Sequence, residues 1–168
     1  MGDPLNVKPT LQALLVADRV YRDGQTGKFI IAGTFNRLCF SKTPPVITPP
    51  SGQAPGKIMG GMDAGSPYAY VSLTEVRGKL PLVFRYVDLT DNNPLLVSEF
   101  EVQAKSPLET VELVLPLPRL PIPHAGVYAF EILSGNDPLG SVRLVVEEIK
   151  PPPANQGPPG PVDQPQAS

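Results

Sequence analysis

The chain has 168 residues, of which 18% are charged, and its formal net charge is −2. A chain of this length predicts one domain with appendages, large enough to bury a core without a disulfide or metal. Lys and Arg are scattered, so no basic stripe could neutralise a row of phosphates, and neither nucleic acid nor an anionic membrane is expected as a partner. The single cysteine, Cys39, excludes an intrachain disulfide.

The N-terminus, MGDPLNVKPT, does not have the basic start and apolar segment of a secretory signal. Asn6 stands where a myristoylation signal has Ser or Thr. No apolar run approaches the roughly 18 residues of a membrane span. We therefore expect a soluble, cytoplasmic protein.

Proline clusters divide the chain, because proline denies a helix or a central strand a backbone donor. The boundaries predict an N-terminal extension over 1–9, a β-sandwich domain over 10–149 and a tail over 150–168. The tail is rich in proline and has one apolar side chain larger than alanine, so we expect it to be disordered. Within the domain, the Pro/Gly-rich segment 43–67 predicts a long surface loop.

Between these clusters the side chains repeat with the period of strands. Segment 11–21, LQALLVADRVY, fits a helical stripe as well as a strand face. A predicted strand over 27–35 follows it through the turn-rich RDGQTG, and this neighbour favours a strand for 11–21 as well. Further strands are predicted over 68–76, 80–89, 95–104 and 110–117, separated by turn signals.

The last part of the domain predicts a β-hairpin. In VYAFEIL, Tyr128, Phe130 and Ile132 share one face. SGND predicts a turn. The segment LGSVRLVVEEI then predicts the second strand, with Val142 and Leu144 on one face. The spacing of strands and turns is typical of an all-β fold, an antiparallel β-sandwich of immunoglobulin-like or Greek-key style with about eight strands.

The residues that could carry chemistry are few. His124 is the only histidine, and its position predicts a surface residue at the entrance to a strand. Cys39, in the apolar stretch RLCFS that ends a strand, predicts a buried, inert thiol. A nucleophilic pair of Cys39 with His124 is the alternative, because residues distant in sequence can meet in the fold.

Other motifs fit structural roles better than sites. GQTGK has the wrong spacing for a phosphate loop. Asp88 and Asp91 lie in a predicted turn that lacks the Gly and Glu of a calcium loop, although a weak Ca²⁺ site was the alternative. Glu99 and Glu101 predict the solvated side of a strand. We predict no catalytic, cofactor-binding or metal-binding residues.

The Pro-rich segment LPLPRLPIP, 115–123, has two interpretations. It could be an exposed ligand for a groove-bearing domain, or a crossover from one sheet to the other. The crossover accounts for the same residues without a partner, and we favour it.

Two stretches, LLVADRVYRDGQTGKFIIAGTF and PIPHAGVYAFEILSGNDPLGSVRLVV, resemble an uncharacterised bacterial family of small β-sandwich domains. The resemblance spans about residues 10–148 and implies a compact sandwich, with no activity attached. The matching positions are Asp18, Gly27, Lys28, Gly33, Phe35, Gly126, Tyr128, Phe130 and Glu131.

Three functions remain open from the sequence. The first is a non-enzymatic interaction or structural module that presents loops or an edge strand to a protein partner or a second copy. The second is a small-molecule-binding domain with a pocket under loop 43–67, lined by Tyr68, Tyr70 and methionines. The third is a thiol-dependent enzyme that uses Cys39 and His124.

Overall fold

A computed structural model describes residues 7–40 and 66–149 of the chain. These residues form nine strands and no helix. The strands are β1 Thr10–Arg22, β2 Phe29–Thr34, β3 Arg37–Phe40, β4 Tyr68–Thr74, β5 Gly78–Asp88, β6 Asn93–Ala104, β7 Val111–Pro116, β8 Gly126–Ser134 and β9 Asp137–Glu148. The predicted all-β class is confirmed, and segment 11–21 is a strand.

The strands form two sheets that pack face to face. Sheet A has the order β2-β1-β4-β7, and sheet B has the order β3-β9-β8-β5-β6. The run β9-β8-β5-β6 follows the G, F, C and C′ strands of an immunoglobulin variable-type sheet, and β1-β4-β7 follows strands A, B and E. The predicted immunoglobulin-like sandwich is thus confirmed.

The core lies between the sheets because the side chains alternate along each strand. Tyr128, Phe130 and Ile132 of β8 are buried on the inner face, as the sequence predicts. They pack with two aromatic residues of β5, and the ring centroids are 4.9 Å apart for Tyr86 and Phe130 and 6.0 Å apart for Phe84 and Phe130. Aromatic side chains in such contact dominate the energy of a core.

The Pro-rich crossover from β7 to β8 belongs to this core. Leu117, Leu120 and Ile122 are buried in the main cluster, while prolines alternate with them along the chain. Proline fixes the backbone in an extended form without needing a donor, which suits a segment that passes from one sheet to the other. The crossover interpretation of LPLPRLPIP agrees with the structure.

Segment 27–40 forms two strands that lie in different sheets. The sequence predicts a strand over 27–35 and places Cys39 in an apolar stretch that ends a strand, but it does not predict a change of sheet between them. In the structure, β2 ends at Thr34, and β3 joins the other sheet, where it pairs parallel with β9. The ninth strand and the one parallel pair between described strands both arise from this change of sheet.

The long loop and the tail fall almost wholly outside the described residues. Of loop 43–67 the structure describes 66 and 67 only, and the predicted tail over 150–168 is not described. The same holds for most of the predicted extension over 1–9. These three boundaries stay predictions.

Gly33 of β2 has a left-handed backbone conformation and lies close to Asp18 of β1. Its φ is +71°, and the Asp18 carboxylate occupies the space that a Cβ at position 33 would need. Glycine adopts this left-handed backbone without the steric cost that a Cβ brings. Asp18 and Gly33 are both positions of the family resemblance, and here they form one packing unit.

Three glycine-to-alanine variants separate backbone strain from close packing. Gly24 has neither feature, Gly135 has φ +57° with open space around it, and Gly33 has both a positive φ and a neighbour. We expect Gly24→Ala to change the free energy of unfolding by less than about 0.5 kcal/mol. Gly135→Ala should cost about 1–2 kcal/mol, and Gly33→Ala should cost more than Gly135→Ala. Urea unfolding measures the order, and equal costs at 33 and 135 would contradict the role of Asp18.

Candidate functional site

The entrance of β8 is fixed by the hydroxyl of a buried tyrosine. Tyr128 Oη donates a hydrogen bond to the carbonyl of His124 at 2.7 Å and accepts one from the His124 N–H at 3.4 Å. This is the tyrosine corner of immunoglobulin-like sandwiches, in which a tyrosine near the start of strand F bonds to the backbone a few residues upstream. These two hydrogen bonds therefore tie the end of the Pro-rich crossover to the start of β8.

His124 lies directly before β8, as predicted, and its side chain is 42% exposed. The sequence did not predict its partner. Nε2 of His124 lies 2.7 Å from Oδ2 of Asp88, a carboxylate that is nearly fully buried at the end of β5. A Cβ at Gly126 would lie 3.2 Å from Nδ1 of His124, so the glycine leaves room for the imidazole.

A signal for this ion pair is present in the sequence. Leu82, Phe84 and Tyr86 are the inward-facing residues of β5, and Asp88 continues their period of two. A carboxylate in the register of the core needs a hydrogen-bonding or charged partner. His124 is the only histidine of the sequence and lies directly before β8, the strand that neighbours β5. It is therefore a candidate for that partner.

The surroundings of His124 and Asp88 shift the pKa values of the two side chains in opposite directions. The backbone carbonyl of Ala125 raises the pKa of His124 above its usual 6.5, and the charge and hydrogen bond of Asp88 add to this against the effect of desolvation. For Asp88, desolvation raises the pKa, but the hydrogen bonds from Thr90 and the charge of His124 outweigh it, and the pKa lies below 3.8. Both groups are therefore charged between these values.

Both ring nitrogens of His124 face acceptors. Nδ1 lies 2.9 Å from the carbonyl oxygen of Ala125, and Nε2 faces the ionised Asp88. A carbonyl oxygen and a carboxylate cannot donate, so both nitrogens carry protons when both contacts are made. A general base needs a free lone pair within reach of its substrate. In this arrangement His124 has none, and its contacts join the crossover to β5.

Cys39 is not buried, contrary to the prediction. Leu38 and Phe40 of β3 pack toward the core, so the alternation of the strand turns Cys39 outward, where it is exposed. The stretch RLCFS is apolar, but the change of sheet determines which of its residues face the core. The contacts described for His124 are with Asp88, Ala125 and Tyr128, and the structure does not bring Cys39 into this set.

The turn between β5 and β6 has the geometry of an ordinary turn. Oδ1 of Asp88 accepts a hydrogen bond from the Thr90 N–H at 2.9 Å, and Oδ1 of Asp91 accepts one from the Asn93 N–H at 3.1 Å. Asp commonly bonds the backbone two residues on in turns. Within residues 7–40 and 66–149, no cluster of three or more His, Cys, Asp and Glu could hold a metal ion.

Tyr68 and Tyr70, which the sequence predicts as the lining of a pocket under loop 43–67, lie on the outer face of sheet A. They belong to a second apolar cluster, the outer-face cluster, in which Ala17, Val20 and Tyr70 are buried and the other side chains are partly buried. Tyr70 Oη donates to the Glu112 carboxylate. The cluster contains Ala13, Ala17, Val20, Phe29, Ile31, Tyr68, Tyr70 and Val114. Met59 and Met62, the methionines of the predicted pocket, lie outside the described residues.

Two of the cavities that described residues form lie elsewhere, and each is slightly below the usual volume of a ligand site. One of about 280 Å³ lies beside Leu15 and Phe35, and one of about 270 Å³ opens between β6 and β7 beside Ser98 and Leu115. Sites for small molecules commonly measure about 300–1,000 Å³. The pocket hypothesis stays a prediction that depends on the undescribed part of loop 43–67.

The outer face of sheet B has a different character from the outer-face cluster. Cross-strand ion pairs cover it, and the guanidinium of Arg85 lies 2.7 Å from Oε2 of Glu131. Lys79 and Glu101 form a second pair at 2.9 Å. Glu99 and Glu101 are both exposed there, as the sequence predicts. Such charged surfaces resist burial against another protein, whereas half-buried apolar ones favour it.

The edge strands also differ in whether they contain charged residues or proline. In the described part of the chain, β2 and β7 are the edges of sheet A, and β3 and β6 are the edges of sheet B. Natural proteins protect edges with charged residues or proline. Three of the four edge strands carry charged residues or proline. These residues are Arg37 in β3, Pro94, Glu99 and Glu101 in β6, and Glu112 and Pro116 in β7. The six residues of β2, FIIAGT, include neither.

The backbone of β2 points hydrogen-bonding groups away from β1. The Asp23 N–H donates to the Lys28 carbonyl at 2.8 Å, so Lys28 faces β1. Alternate residues of an antiparallel strand face opposite sides, which directs the N–H and C=O of Phe29 and Ile31 toward the free edge. Ile30, between them, has a side chain 40% exposed. No described strand pairs with this side of β2, and we call Phe29–Ile31 the free edge.

No protein-family model and no curated protein matches the chain. The resemblance to an uncharacterised bacterial family of β-sandwich domains therefore stays a prediction. No helix among the described residues is long and apolar enough to cross a membrane.

The ion pair predicts a pH-dependent contribution to stability. Asp88→Asn should return the pKa of His124 toward 6.5, which a histidine-selective NMR titration measures. The contribution of His124 is complete below about pH 6.5 and is lost as the pH rises through its higher folded value. The contribution of Asp88 is present above 3.8 and is lost as the pH falls through its lower folded value. Wild type and Asp88→Asn should thus differ most in stability between about pH 4 and 6.5.

Asp91→Asn is the control for this titration. Asp91 also raises the pKa of His124, but through charge alone, and it makes no contact with the ring. The pKa of His124 should fall less in Asp91→Asn than in Asp88→Asn. Equal falls would show that the general negative potential of the turn, and not the contact, sets the titration.

The tyrosine corner should contribute measurably to the free energy of unfolding. Tyr128→Phe removes the hydroxyl that bonds both backbone groups of His124, and we expect a loss of about 1–2 kcal/mol in the free energy of unfolding. Tyr21→Phe, at a side chain 56% exposed, is the matched control and should change stability by less than about 0.5 kcal/mol. Denaturant unfolding of both variants tests the corner, and similar values for the two would contradict it.

Proposed function

We propose that this protein is a non-enzymatic interaction module whose free edge at β2 pairs with an extended strand of a protein partner. The observation that carries the proposal is the composition of this edge. Among the four edges of the described sheets, β2 alone has neither charge nor proline, and it exposes Ile30. Unpaired backbone groups give an added strand its affinity, and neighbouring side chains give it specificity.

The surroundings of the edge support the same function. Phe29 and Ile31 belong to the outer-face cluster, and the rings of Phe29 and Tyr70 are in edge-to-face contact with centroids 5.7 Å apart. A strand added to β2 would lie beside this cluster and bury part of it. Apolar and aromatic contact beside a hydrogen-bonded edge is the combination that strand-addition sites use.

The remaining features fit an interaction module in a reducing compartment. The chemistry of His124 is taken up by its contacts with Asp88 and Ala125, which leaves the thiol hypothesis without its base. The exposed single thiol of Cys39 suits the cytoplasm, where thiols stay reduced. We include a cytoplasmic location and membership of a bacterial β-sandwich family in the proposal.

Two matched variants test the edge. Ile30→Lys and Val97→Lys each place a lysine at an exposed, β-branched position of an edge strand, the first on β2 and the second on β6. A lysine blocks strand pairing because a charge must be desolvated. Proteins captured by the wild-type chain from native extract should be retained by Val97→Lys and reduced at least tenfold by Ile30→Lys.

Amide hydrogen exchange shows where such a partner sits. The N–H groups of Phe29 and Ile31 should exchange quickly in the free monomer and slowly when the partner is bound, because strand pairing gives them acceptors. Capture that is equal in both variants, or protection that maps to another edge, would refute the proposal.

A further inference from the structure

The free edge is complementary to itself. The two outward-facing residues, Phe29 and Ile31, lie on either side of Ile30, so an antiparallel copy of β2 can pair about a two-fold axis at Ile30. Phe29 then lies opposite Ile31 of the second copy, and Ile31 lies opposite its Phe29. Each of these two pairs exchanges two backbone hydrogen bonds, as outward-facing residues of an antiparallel ladder do.

Charge does not oppose this arrangement. Lys28, which is next to the paired segment, falls opposite Ala32 of the second copy and not opposite another lysine. Like charges directly across a sheet are destabilising, and β2 itself contains none. An edge strand with charged residues near its centre would not pair with itself in this way.

The pairing also buries the exposed apolar side chains beside the edge. Ile30 is the direct partner of Tyr21 on β1, and these side chains are 40% and 56% exposed. About the two-fold axis they form a row of Tyr21, Ile30, Ile30 of the second copy and Tyr21 of the second copy. On the other face, Phe29 contacts Ile31 of the second copy and joins the two outer-face clusters. The Ile30 face of the junction is apolar, whereas on the other face the guanidinium of Arg22 lies 5.5 Å from the centroid of the Phe29 ring.

We propose that the partner for the free edge is a second copy of this chain, joined through antiparallel pairing of β2 with β2 about Ile30. The inference rests on the proposed function and names the partner of the same site. A closed two-fold dimer uses the same patch on both subunits. Both free edges are then paired within the dimer, so no further chain can add to them. The two copies of sheet A become one continuous eight-stranded sheet.

A cysteine at the axis tests the register. The background is Cys39→Ser, because Cys39 is exposed and would form disulfides of its own. In Ile30→Cys the two introduced thiols face each other, with Cα atoms about 4.5 Å apart in a non-hydrogen-bonded pair. Disulfides form at Cα separations of about 4.4–6.8 Å. Mild oxidation should convert most of the protein to a covalent dimer.

Ala32→Cys in the same background is the matched control. It lies two residues from the axis, so the two thiols are displaced by four residues, about 13 Å along the strands. Position 32 is exposed like position 30, but this variant should cross-link at least tenfold more slowly. Equal rates at 30 and 32 would show random collision and overturn the inferred register.

Sedimentation velocity of the full chain separates this inference from the proposed function. The wild type and Val97→Lys should sediment as dimers, and Ile30→Lys should sediment as a monomer. A wild-type monomer whose Phe29 and Ile31 amides are protected by another protein would overturn the dimer and leave the proposed function standing. A monomer with no protection of these amides under any condition would overturn both.

Discussion

The hydrogen bond from the Tyr128 hydroxyl to the His124 carbonyl holds the end of the sandwich together. It ties the crossover to β8, and the crossover supplies three buried side chains to the core. The ion pair of His124 with Asp88 then joins the same turn to β5. The hydroxyl and the ion pair together join the crossover, which arrives from sheet A, to β5 and β8, the two strands of sheet B that carry the aromatic block of the core.

The contacts of His124 and Asp88 are those of a structural ion pair. A buried carboxylate without a partner is costly, and a cation beside it offsets that cost only if its own hydrogen bonds are satisfied. His124 meets both conditions because its second nitrogen bonds the Ala125 carbonyl. While both contacts are made, each ring nitrogen donates a proton to an acceptor, and the imidazolium is held in one orientation.

The sequence predicts those parts of the fold that depend on local alternation. The inward residues of β8 follow from the period of two in VYAFEIL, and the strand at 11–21 follows from its hairpin with the next strand. The change of sheet between Thr34 and Arg37 could not be predicted, because no proline marks it and the short polar interruption at Asn36 and Arg37 does not show which sheet the chain joins next. The exposure of Cys39 depends on that change, and the free edge of β2 depends on the strand order, which only the assembled sheets define.

The parallel pairing of β3 with β9 has a consequence for biosynthesis. Arg37 lies beside Val145, so β3, an early strand of the chain, pairs with the last strand that the structure describes. Contacts between such distant points of the sequence slow folding, because a large loop has to close first. During synthesis, sheet B therefore cannot be completed before the ribosome has made β9.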